Sequence, residues 1–275
     1  WMKIQKNKNP NKPFFVYFPL NAPHSPIVPS NQFKGKSNLS PHGDFCMDVD
    51  DTVGQIITAV EEIGETENTI IIFTTDNGVS PQAKLEPMEK LGHFSSYIYR
   101  GLKGTRVPFI VKWPNKIKKS TETNYLTCTT DLLATVIDIQ GDTLKNNEGE
   151  DSVSFLSALL SKQTNDRGPI VHHSDAGYFS LREGKWKIIF HEGAGSRRKD
   201  PKDKPVINPG KMQLFDMSKD QTELVNIAKY HPKVVKELTS KMKEILLNGR
   251  STKGTSQAYV KYEKKKEEKI KLFIN

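Results

Sequence analysis

Apolar runs and one amphipathic segment alternate in the first half of the chain. Residues 12–19 (KPFFVYFP) form an aromatic and β-branched run bounded by prolines, which predicts a buried strand. Between Cys46 and Ile63 apolar residues recur at three- and four-residue spacing and Gly64 follows, which predicts an amphipathic helix. Residues 69–75 (TIIIFTT) are apolar on both faces, as strands of a helix-covered parallel sheet are. Strand, helix and strand in this order predict a βαβ unit.

The same alternation continues to about residue 166. A further run that is apolar on both faces covers residues 107–113, and residues 131–139 are predicted to form a helix. Together these elements predict an α/β domain over residues 1–166. Its core is expected to be one doubly wound, mostly parallel sheet covered by helices.

A second, smaller unit is predicted over residues 167–250. Short strand-like pieces separated by glycines and charged turns, followed by an amphipathic helix, are typical of a small α+β subdomain with an antiparallel sheet. The predicted strands cover residues 170–173, 178–182, 185–191 and 212–215, and the predicted helix covers residues 232–247. Residues 193–210 are expected to form a flexible loop or a disordered insertion, and residues 251–275 a lysine-rich tail.

The charge of the chain is concentrated at its two ends. The 275 residues carry a net charge of +9. Residues 1–12 hold four lysines and no acid, and residues 251–275 hold seven lysines and three glutamates, so each end contributes +4. The body is nearly neutral, so we interpret the tail as a solvated end and expect no nucleic-acid partner. No apolar run reaches the ~20 residues of a membrane span.

Residues suited to binding a cation and an anionic ester stand beside the predicted strands. His24 follows the first strand in a loop, Asp76 and Asn77 directly follow the second, and Lys103 precedes the third. Ligands of open α/β sheets gather beyond the carboxyl ends of strands, so we expect these residues to converge on one rim. Carboxylate and amide oxygens suit calcium or magnesium, and a lysine suits a sulfate or phosphate oxygen. Two protein ligands are too few for calcium, so further acids must come from elsewhere.

An ordered set of motifs resembles the type I sulfatases of the alkaline-phosphatase-like superfamily, over roughly residues 12–252. The set is PFFVYFPLNAPHSP, VDDTVGQIITAVEEIG, NTIIIFTTDNG, YRGLKG, RVPFIVKWP, TDLLATVIDIQG, LREGKWKII, LFDMSKDQTELVNIA and GRST. Its order matches the C-terminal half to two-thirds of such a protein. The resemblance implies the alkaline-phosphatase-like fold and removal of sulfate from a carbohydrate or aryl sulfate ester, with a polysaccharide preferred.

The resemblance also implies roles for individual residues. Asp76 and Asn77 correspond to two ligands of the family's calcium, with magnesium as the alternative. His24 and Lys103 correspond to groups that contact the sulfate ester and stabilise charge in the transition state. Members of the family are usually exported or lysosomal, and the sequon at residues 38–40 is weak support for such a location. Cys46 and Cys128 form no C-x-x-C pair, so cysteine usage leaves the compartment open.

Further candidates concern the substrate cleft. His93 and Arg100 lie in a stretch that resembles the loop after the metal motif in polysaccharide-type sulfatases, so both are expected to line the cleft. His172 and His173 of the second unit are equally well explained as substrate-facing residues and as ordinary strand and turn residues; of the two, His173 is the candidate for substrate binding.

Two departures from the family stand beside these matches. Such sulfatases use a formylglycine made from the Cys or Ser of a C/S-x-P-S/A-R motif near the N-terminus, and this chain contains no such motif. The formylglycine is therefore expected only in a part N-terminal to this chain. The family's paired N-terminal aspartates also lack a counterpart, since Asp50 and Asp51 lie inside the predicted helix. The junction KGTRVPF is several residues shorter than usual, which would pull Lys103 toward the sheet.

Three functions fit this combination of family motifs and departures from the family pattern. The chain is a piece of a sulfuric ester hydrolase whose complete form carries the nucleophile motif upstream, or an inactive carbohydrate-binding remnant, or part of a phosphatase or phosphonate hydrolase of the same superfamily. We favour the first. A parallel sheet needs both faces covered, so residues 1–275 alone are expected to be poorly soluble or molten.

Overall fold

The chain forms two compact units. The computed structural model describes residues 1–97, 99, 104–162, 167–174, 176–193 and 206–257. The first unit comprises Trp1–Tyr97 and Leu102–Ser120, and the second comprises Ile98–Gly101 and Thr121–Asn275. The predicted domain boundary at residue 166 stays a prediction. Most of the predicted lysine-rich tail, residues 258–275, and most of the predicted loop, residues 194–205, lie outside the described residues.

A long helix dominates the first unit. Helix α1 (Met2–Lys8) precedes helix α2 (Pro41–Glu62), which confirms the predicted amphipathic helix and extends it toward the N-terminus. The extension has a local cause, because the Ser40 side chain accepts a hydrogen bond from the Gly43 amide at 3.2 Å and Pro41 occupies the first helical position. The helix ends before Gly64, whose φ of +72° is readily adopted only by glycine.

The sheet of the first unit is antiparallel, so the prediction of a mostly parallel sheet is wrong for the described residues. Strand β1 (Ile71–Thr74) pairs with strand β2 (Phe109–Lys112), with Ile71 opposite Lys112 and Thr74 opposite Phe109. The chain crosses between them through a 3₁₀ turn (Pro81–Ala83) and helix α3 (Leu85–Lys90). Parallel pairing within the described residues is confined to an isolated bridge between Ile207 and Val225.

The direction of β2 follows from where the chain returns to the sheet. The Gly78 amide donates to the Gly104 carbonyl at 2.9 Å, which places Gly104 just beyond the carboxyl end of β1. A strand that begins at this end must run antiparallel to β1. A parallel strand would require a crossover that carries the chain back to the start of β1.

The predicted strand at residues 12–19 is not formed. This segment is assigned no strand, and the side chains of Phe15 and Tyr17 are 74% and 80% exposed. A buried strand needs ladder partners for its backbone and packed faces for its side chains. The β1–β2 pair provides neither for this segment, because β1 and β2 pair only with each other.

The second unit is a four-stranded antiparallel sheet with helices, which confirms the predicted α+β arrangement. Its strands lie side by side in chain order. They are β3 (Ile170–His173), β4 (Phe179–Glu183), β5 (Trp186–Ile189) and β6 (Gln213–Asp216), and its helices are α4 (Asp131–Ile139), α5 (Leu156–Leu159) and α6 (Pro232–Asn248), with a 3₁₀ turn at Ala228–Tyr230. One sheet face, with Leu181 and Ile188 fully buried, packs against Leu238 and Met242 of α6.

A buried ion pair joins the start of α4 to the entry of β3. Arg167 donates to both oxygens of Asp131, through Nη2 at 2.5 Å and Nε at 2.7 Å, and the two side chains are 2% and 0% exposed. Asp131 also accepts the amides of Cys128 and Val153 at 3.0 Å. Arg167 in turn donates to the Pro169 carbonyl at 2.7 Å. Three chain segments are therefore tied to one carboxylate.

None of the described helices combines the length and the apolar character needed to cross a membrane.

Replacing Asp131 by asparagine is expected to destabilise the second unit by about 3–5 kcal/mol, because the Arg167 cation stays buried without its counter-charge. Amide hydrogen exchange of α4 and β3 measures the loss. The control is Lys145→Gln, which removes an exposed ion pair with Glu148 (3.5 Å) and should change stability by no more than about 0.5 kcal/mol. Equal effects of the two substitutions would contradict the structural role of the Asp131–Arg167 pair.

The isolated 275-residue chain is expected to unfold without a sharp transition and to bind a hydrophobic dye, because residues 15–18 expose apolar side chains. Calorimetry and dye fluorescence on this chain check the expectation. A single sharp, cooperative melt with no dye binding would contradict it.

Candidate active site

Two of the predicted metal ligands lie directly beyond β1. Asp76 is exposed and Asn77 is half-buried. The hydroxyl of Thr75 donates to Asp76 Oδ1 and to the Asn77 carbonyl, both at 3.3 Å. These hydrogen bonds stabilise the turn that follows β1. The exposed carboxylate of Asp76 is thus accessible to a cation from solvent.

A close backbone contact joins this turn to the segment before β2. Besides the 2.9 Å hydrogen bond between Gly78 and Gly104, a Cβ atom on Gly78 would lie 2.9 Å from the Gly104 nitrogen. No other residue fits there without moving the backbone of Gly104. Lys103, the predicted sulfate-contacting residue, is the covalent neighbour of Gly104 but lies outside the described residues, as does Arg100.

His24 presents one nitrogen to its surroundings. Its amide donates to the Asn21 carbonyl at 3.0 Å, and its Nδ1 lies 2.7 Å from the Ser25 carbonyl oxygen. A carbonyl oxygen only accepts hydrogen bonds, so Nδ1 carries a proton and donates it. Nε2 of this exposed side chain is then the atom free to accept or release a proton.

Two aspartates of α2 hold the loop that carries His24. Asp48 accepts the Ser30 amide at 2.8 Å and the Ser30 hydroxyl at 2.6 Å. One turn earlier, the buried Asp44 accepts the amides of Gly35 and Ser37 at 2.8 and 2.9 Å and the Ser37 hydroxyl at 2.6 Å. The bonds from Ser37 and Gly35 lower the pKa of Asp44, so this carboxylate stays ionised. The loop is therefore fixed to the helix at two points.

His93 stands at the end of α3. The His93 amide donates to the Met88 carbonyl at 3.0 Å, and the Gly92 amide donates to the Glu89 carbonyl at 2.9 Å. Gly92 has a φ of +81°. These bonds form a Schellman motif, which closes the helix and sets the direction of the chain at His93. Met88 is fully buried and anchors α3, while the side chain of His93 is exposed.

His42, which sequence reasoning missed, lies in the first turn of α2, with its Nδ1 buried and without a hydrogen-bond partner among the described residues. Burial lowers the pKa of His42, and the nearby His93 lowers it further. The sequence pattern begins the helix at Cys46, so it leaves His42 in the preceding loop. The pair Ser40-Pro41 is the cue that places this residue in the first helical turn.

The two histidines of β3 lie in the second unit. His173 is exposed, with its Nδ1 2.9 Å from the Ser174 carbonyl oxygen. His172 has its Nε2 sealed from solvent without a hydrogen-bond partner. Burial, together with the charges of Lys187, His173 and Arg182, lowers the pKa of His172 to about 3, so it is neutral at physiological pH. The role of His173 in binding substrate stays a prediction.

The donors beyond β1 fit calcium in type but not in number. Asp76 and Asn77 supply hard oxygen ligands, which calcium prefers. Within the described residues, however, no group of three or more His, Cys, Asp or Glu side chains is arranged to hold a metal ion. The described residues alone therefore do not complete a calcium site, and the expectation that further acids come from elsewhere stays a prediction.

Comparisons with known proteins agree on one family. The family model described as Sulfatase matches residues 1–141. An N-acetylgalactosamine-6-O-sulfatase of Bacteroides thetaiotaomicron is 34% identical over 252 residues, which cover 85% of this chain and 47% of that protein. An N-acetylgalactosamine-6-sulfatase of Canis lupus familiaris is 28% identical over 190 residues, which cover 68% of this chain and 36% of that protein.

A solved structure supports the same assignment. It comes from work on the metabolism of glycosaminoglycans by Bacteroides thetaiotaomicron, and it matches this chain with a TM-score of 0.74 at 33% identity. The match covers 89% of this chain and 52% of the solved chain. This chain thus spans between 36% and 52% of the length of these three proteins.

Gly78→Ala is expected to separate the turn beyond β1 from Gly104, because the new Cβ has no space against the Gly104 nitrogen. In the full-length gene product we expect the affinity for calcium and the turnover of a sulfate ester to fall by about ten-fold or more. Calorimetric calcium titration and an ester hydrolysis assay measure the two effects.

The matched control is Gly54→Ala on α2, where a Cβ meets nothing within 4 Å. This helical substitution should leave both properties unchanged and add about 0.5–1 kcal/mol of stability. If Gly78→Ala behaved like the control, the close contact would be irrelevant to the site.

Proposed function

Because the chain belongs to the sulfatase family, we propose that it supplies the metal-binding and sulfate-contacting part of a sulfuric ester hydrolase acting on a sulfated carbohydrate. The observation that carries this proposal is the contact between Gly78 and Gly104. It supports a single site in which the turn with Asp76 and Asn77 stands beside the segment that contains Lys103.

The proposed residues act on the sulfate group of the ester. Lys103 places its charge against a non-bridging sulfate oxygen. An oxygen nucleophile, expected from the part of the protein N-terminal to this chain, forms a bond to sulfur as the bond from sulfur to the bridging oxygen breaks. His24, protonated at Nε2, donates its proton to that bridging oxygen, so that the sugar leaves as a neutral alcohol. The hydrogen bond from Nδ1 to the Ser25 carbonyl fixes which nitrogen performs this transfer. Asp76 and Asn77 are the residues that would help to hold a divalent cation, which neutralises sulfate charge when bound.

The proposed substrate is a 6-O-sulfated amino sugar within a polysaccharide. Relatives from a bacterium and a mammal are both named as sulfatases of N-acetylgalactosamine 6-sulfate, and the match to the bacterial relative covers 85% of this chain. His93 is the proposed contact to the sugar from the first unit, and the roles of Arg100 and His173 stay predictions. His93 is exposed on its Schellman turn, as such a contact requires.

An inactive carbohydrate-binding protein is a second candidate, favoured by one observation. The chain contains no C/S-x-P-S/A-R motif, which is the source of the formylglycine nucleophile in type I sulfatases. The two candidates differ in what the full gene encodes. The sulfatase proposal requires the motif upstream of Trp1, and a coding sequence without it would favour the binding protein.

Turnover by the full-length gene product tests the proposal directly. We expect calcium-dependent release of sulfate from N-acetylgalactosamine 6-sulfate, with sulfate monoesters hydrolysed faster than phosphate monoesters. Lys103→Ala should lower kcat/KM by about 10²-fold or more, because a charge on the transferring group is lost. The control Lys116→Ala removes an exposed lysine beyond the far end of β2 and should leave turnover unchanged.

Faster hydrolysis of phosphate esters would replace the proposal with a phosphatase of the same superfamily. Binding of the sulfated sugar without any turnover would favour the inactive binding protein. Equal effects of Lys103→Ala and Lys116→Ala would remove Lys103 from the site.

A further inference from the structure

We propose that a cavity on the second unit binds an acidic sugar unit of a polysaccharide, with Trp186 as the surface on which the sugar stacks. This inference rests on the proposed function for the choice of a polysaccharide as the ligand, and it deepens that function by adding a binding site for a longer chain. The residues that line the cavity are not among those proposed to contact the sulfate ester or the cation.

The cavity lies where one end of the four-stranded sheet meets the start of α6. Its volume is about 340 Å³, within the range of sites for small ligands. Trp186 is the first residue of β5 and stands opposite Asp216, the last residue of β6. His231 directly precedes α6, and Val225 and Ile227 complete a mostly apolar wall. A space of this kind suits one sugar ring with its substituents.

Trp186 provides a flat aromatic surface with a fixed position. Its side chain packs against the core cluster that includes Leu238 and Met242 of α6. The ring of His231 lies beside it, with the ring centres 5.2 Å apart and the planes inclined by 52°. The backbone of Trp186 is held by the ladder with β6. The C–H face of a pyranose is apolar and packs on such a ring, whereas the hydroxyl groups of the sugar remain directed to solvent.

An exposed lysine covers the indole ring in the structure. Lys185 Nζ lies 4.7 Å from the centre of the Trp186 ring and 3.3 Å from Asp216 Oδ2, and the Lys185 side chain is 52% exposed. An ion pair this exposed contributes little to stability, so the lysine can move aside at small cost. The ring is therefore accessible to a ligand, and the displaced ammonium group stays near enough to bind an acidic substituent of the sugar.

The two carboxylates that line the cavity are already engaged by donors of their own loop. Asp220 accepts the backbone amides of Leu224 and Val225 at 3.0 and 2.9 Å. Asp216 accepts the amide and the hydroxyl of Ser218 at 3.1 and 2.5 Å. These donors stabilise both negative charges locally. The carboxylates consequently have little capacity left to bind a cation or a sugar hydroxyl.

Lys219 supplies the positive charge of the rim that is left free. It lies in the turn after β6, its side chain is exposed, and within the described part of the chain its ammonium group makes no hydrogen bond or ion pair. Together with Lys185 it brings two ammonium groups to one cavity. An ammonium group binds a sulfate or carboxylate oxygen as a point charge. An aromatic ring between two such lysines thus matches a sugar that carries an acidic group.

Binding of chondroitin 6-sulfate, a polymer of glucuronic acid and N-acetylgalactosamine 6-sulfate, to the full-length gene product tests the role of the ring. Trp186→Leu keeps an apolar side chain against the core but removes the flat ring, and it should weaken binding by about ten-fold. Trp186→Phe keeps a ring and should weaken binding by no more than about three-fold. Calorimetric titration measures the affinities, and a thermal melt checks that each variant is folded. Equal affinities of Trp186→Leu and the parent protein would overturn the inference.

Variants of an exposed lysine test the charge without disturbing the core. Lys219→Ala should weaken binding by about three-fold at low salt and reduce its salt dependence, because one contact to an acidic group is lost. Lys219→Arg should restore the affinity. The matched control is Lys236→Ala, which removes an exposed lysine of α6 that does not line the cavity and should leave binding unchanged. Equal effects of Lys219→Ala and Lys236→Ala would show that the polymer binds through diffuse charge, against the inference.

The fluorescence of Trp186 provides a readout that does not need turnover. Saturation with chondroitin 6-sulfate should change the indole emission of the parent protein, and this change should be lost in Trp186→Phe although that variant still binds. Dextran, an uncharged polysaccharide, should cause no change. An undiminished response in Trp186→Phe would place the sugar elsewhere, and an equal response to dextran would contradict the requirement for an acidic group.

Activity measurements separate this inference from the proposed function. With N-acetylgalactosamine 6-sulfate as the substrate, Trp186→Leu and Lys219→Ala should keep the parental kcat/KM. With chondroitin 6-sulfate, KM should rise and kcat should stay unchanged. Loss of turnover of the monosaccharide in either variant would overturn the inference, because the cavity would then belong to the catalytic site. A parent protein that binds the polymer at Trp186 but turns over neither substrate would contradict the proposed function instead.

Discussion

The approach of two glycine backbones determines the architecture around the candidate active site. Gly78 and Gly104 meet through one hydrogen bond, and a side chain on Gly78 would not fit between them. Because Gly104 lies at the carboxyl end of β1, the following strand must start there and run antiparallel. The residues after β1 and the residues before β2 consequently share one end of the sheet, which is where a cation and an anionic ester would be bound.

The other candidate residues are held in place by different interactions. The His24 loop depends on hydrogen bonds to the carboxylates of Asp44 and Asp48 on α2, which replace regular secondary structure as the source of order for residues 30–37. His93 depends on a glycine-terminated helix that is anchored by the buried Met88. In the second unit, the Arg167–Asp131 pair binds segments that are far apart in sequence, and a six-residue apolar core fixes α6 to the sheet. The side chains of His24, Asp76 and His93 are exposed, whereas Asp44 and Met88, which hold the adjoining loop and helix, are buried.

The sequence predicts elements with strong periodicity well. Helix α4 has the predicted bounds, β3 has the predicted bounds, and the antiparallel sheet of the second unit follows from its turn-rich pattern. The predicted strand at residues 12–19 fails because an apolar run forms a strand only where ladder partners exist, and composition alone does not provide them. The direction of β2 cannot be predicted from hydrophobic periodicity either, because it depends on the long-range contact between Gly78 and Gly104.

In the candidate site, too, the sequence predicts local features and misses those that depend on long-range contacts. Asp76 and Asn77 are recognisable because they follow a clear strand, and the convergence with Lys103 was predicted on the assumption of parallel strands. With a parallel β2, Lys103 would lie at the opposite end of the sheet, so the antiparallel pairing is what favours the convergence. His42 was missed because the hydrophobic pattern begins the helix at Cys46, whereas the Ser40 cap begins α2 at Pro41. Lys103 and Arg100 themselves lie outside the described residues.

The central claim is that the turn beyond β1 and the segment before β2 form one site for a sulfate ester. A crystal structure of the full-length gene product with calcium and bound sulfate tests it most directly. The account predicts sulfate within hydrogen-bond distance, about 3 Å, of both Lys103 Nζ and His24 Nε2, with a cation on Asp76 and Asn77. Sulfate and cation bound away from these residues would contradict it.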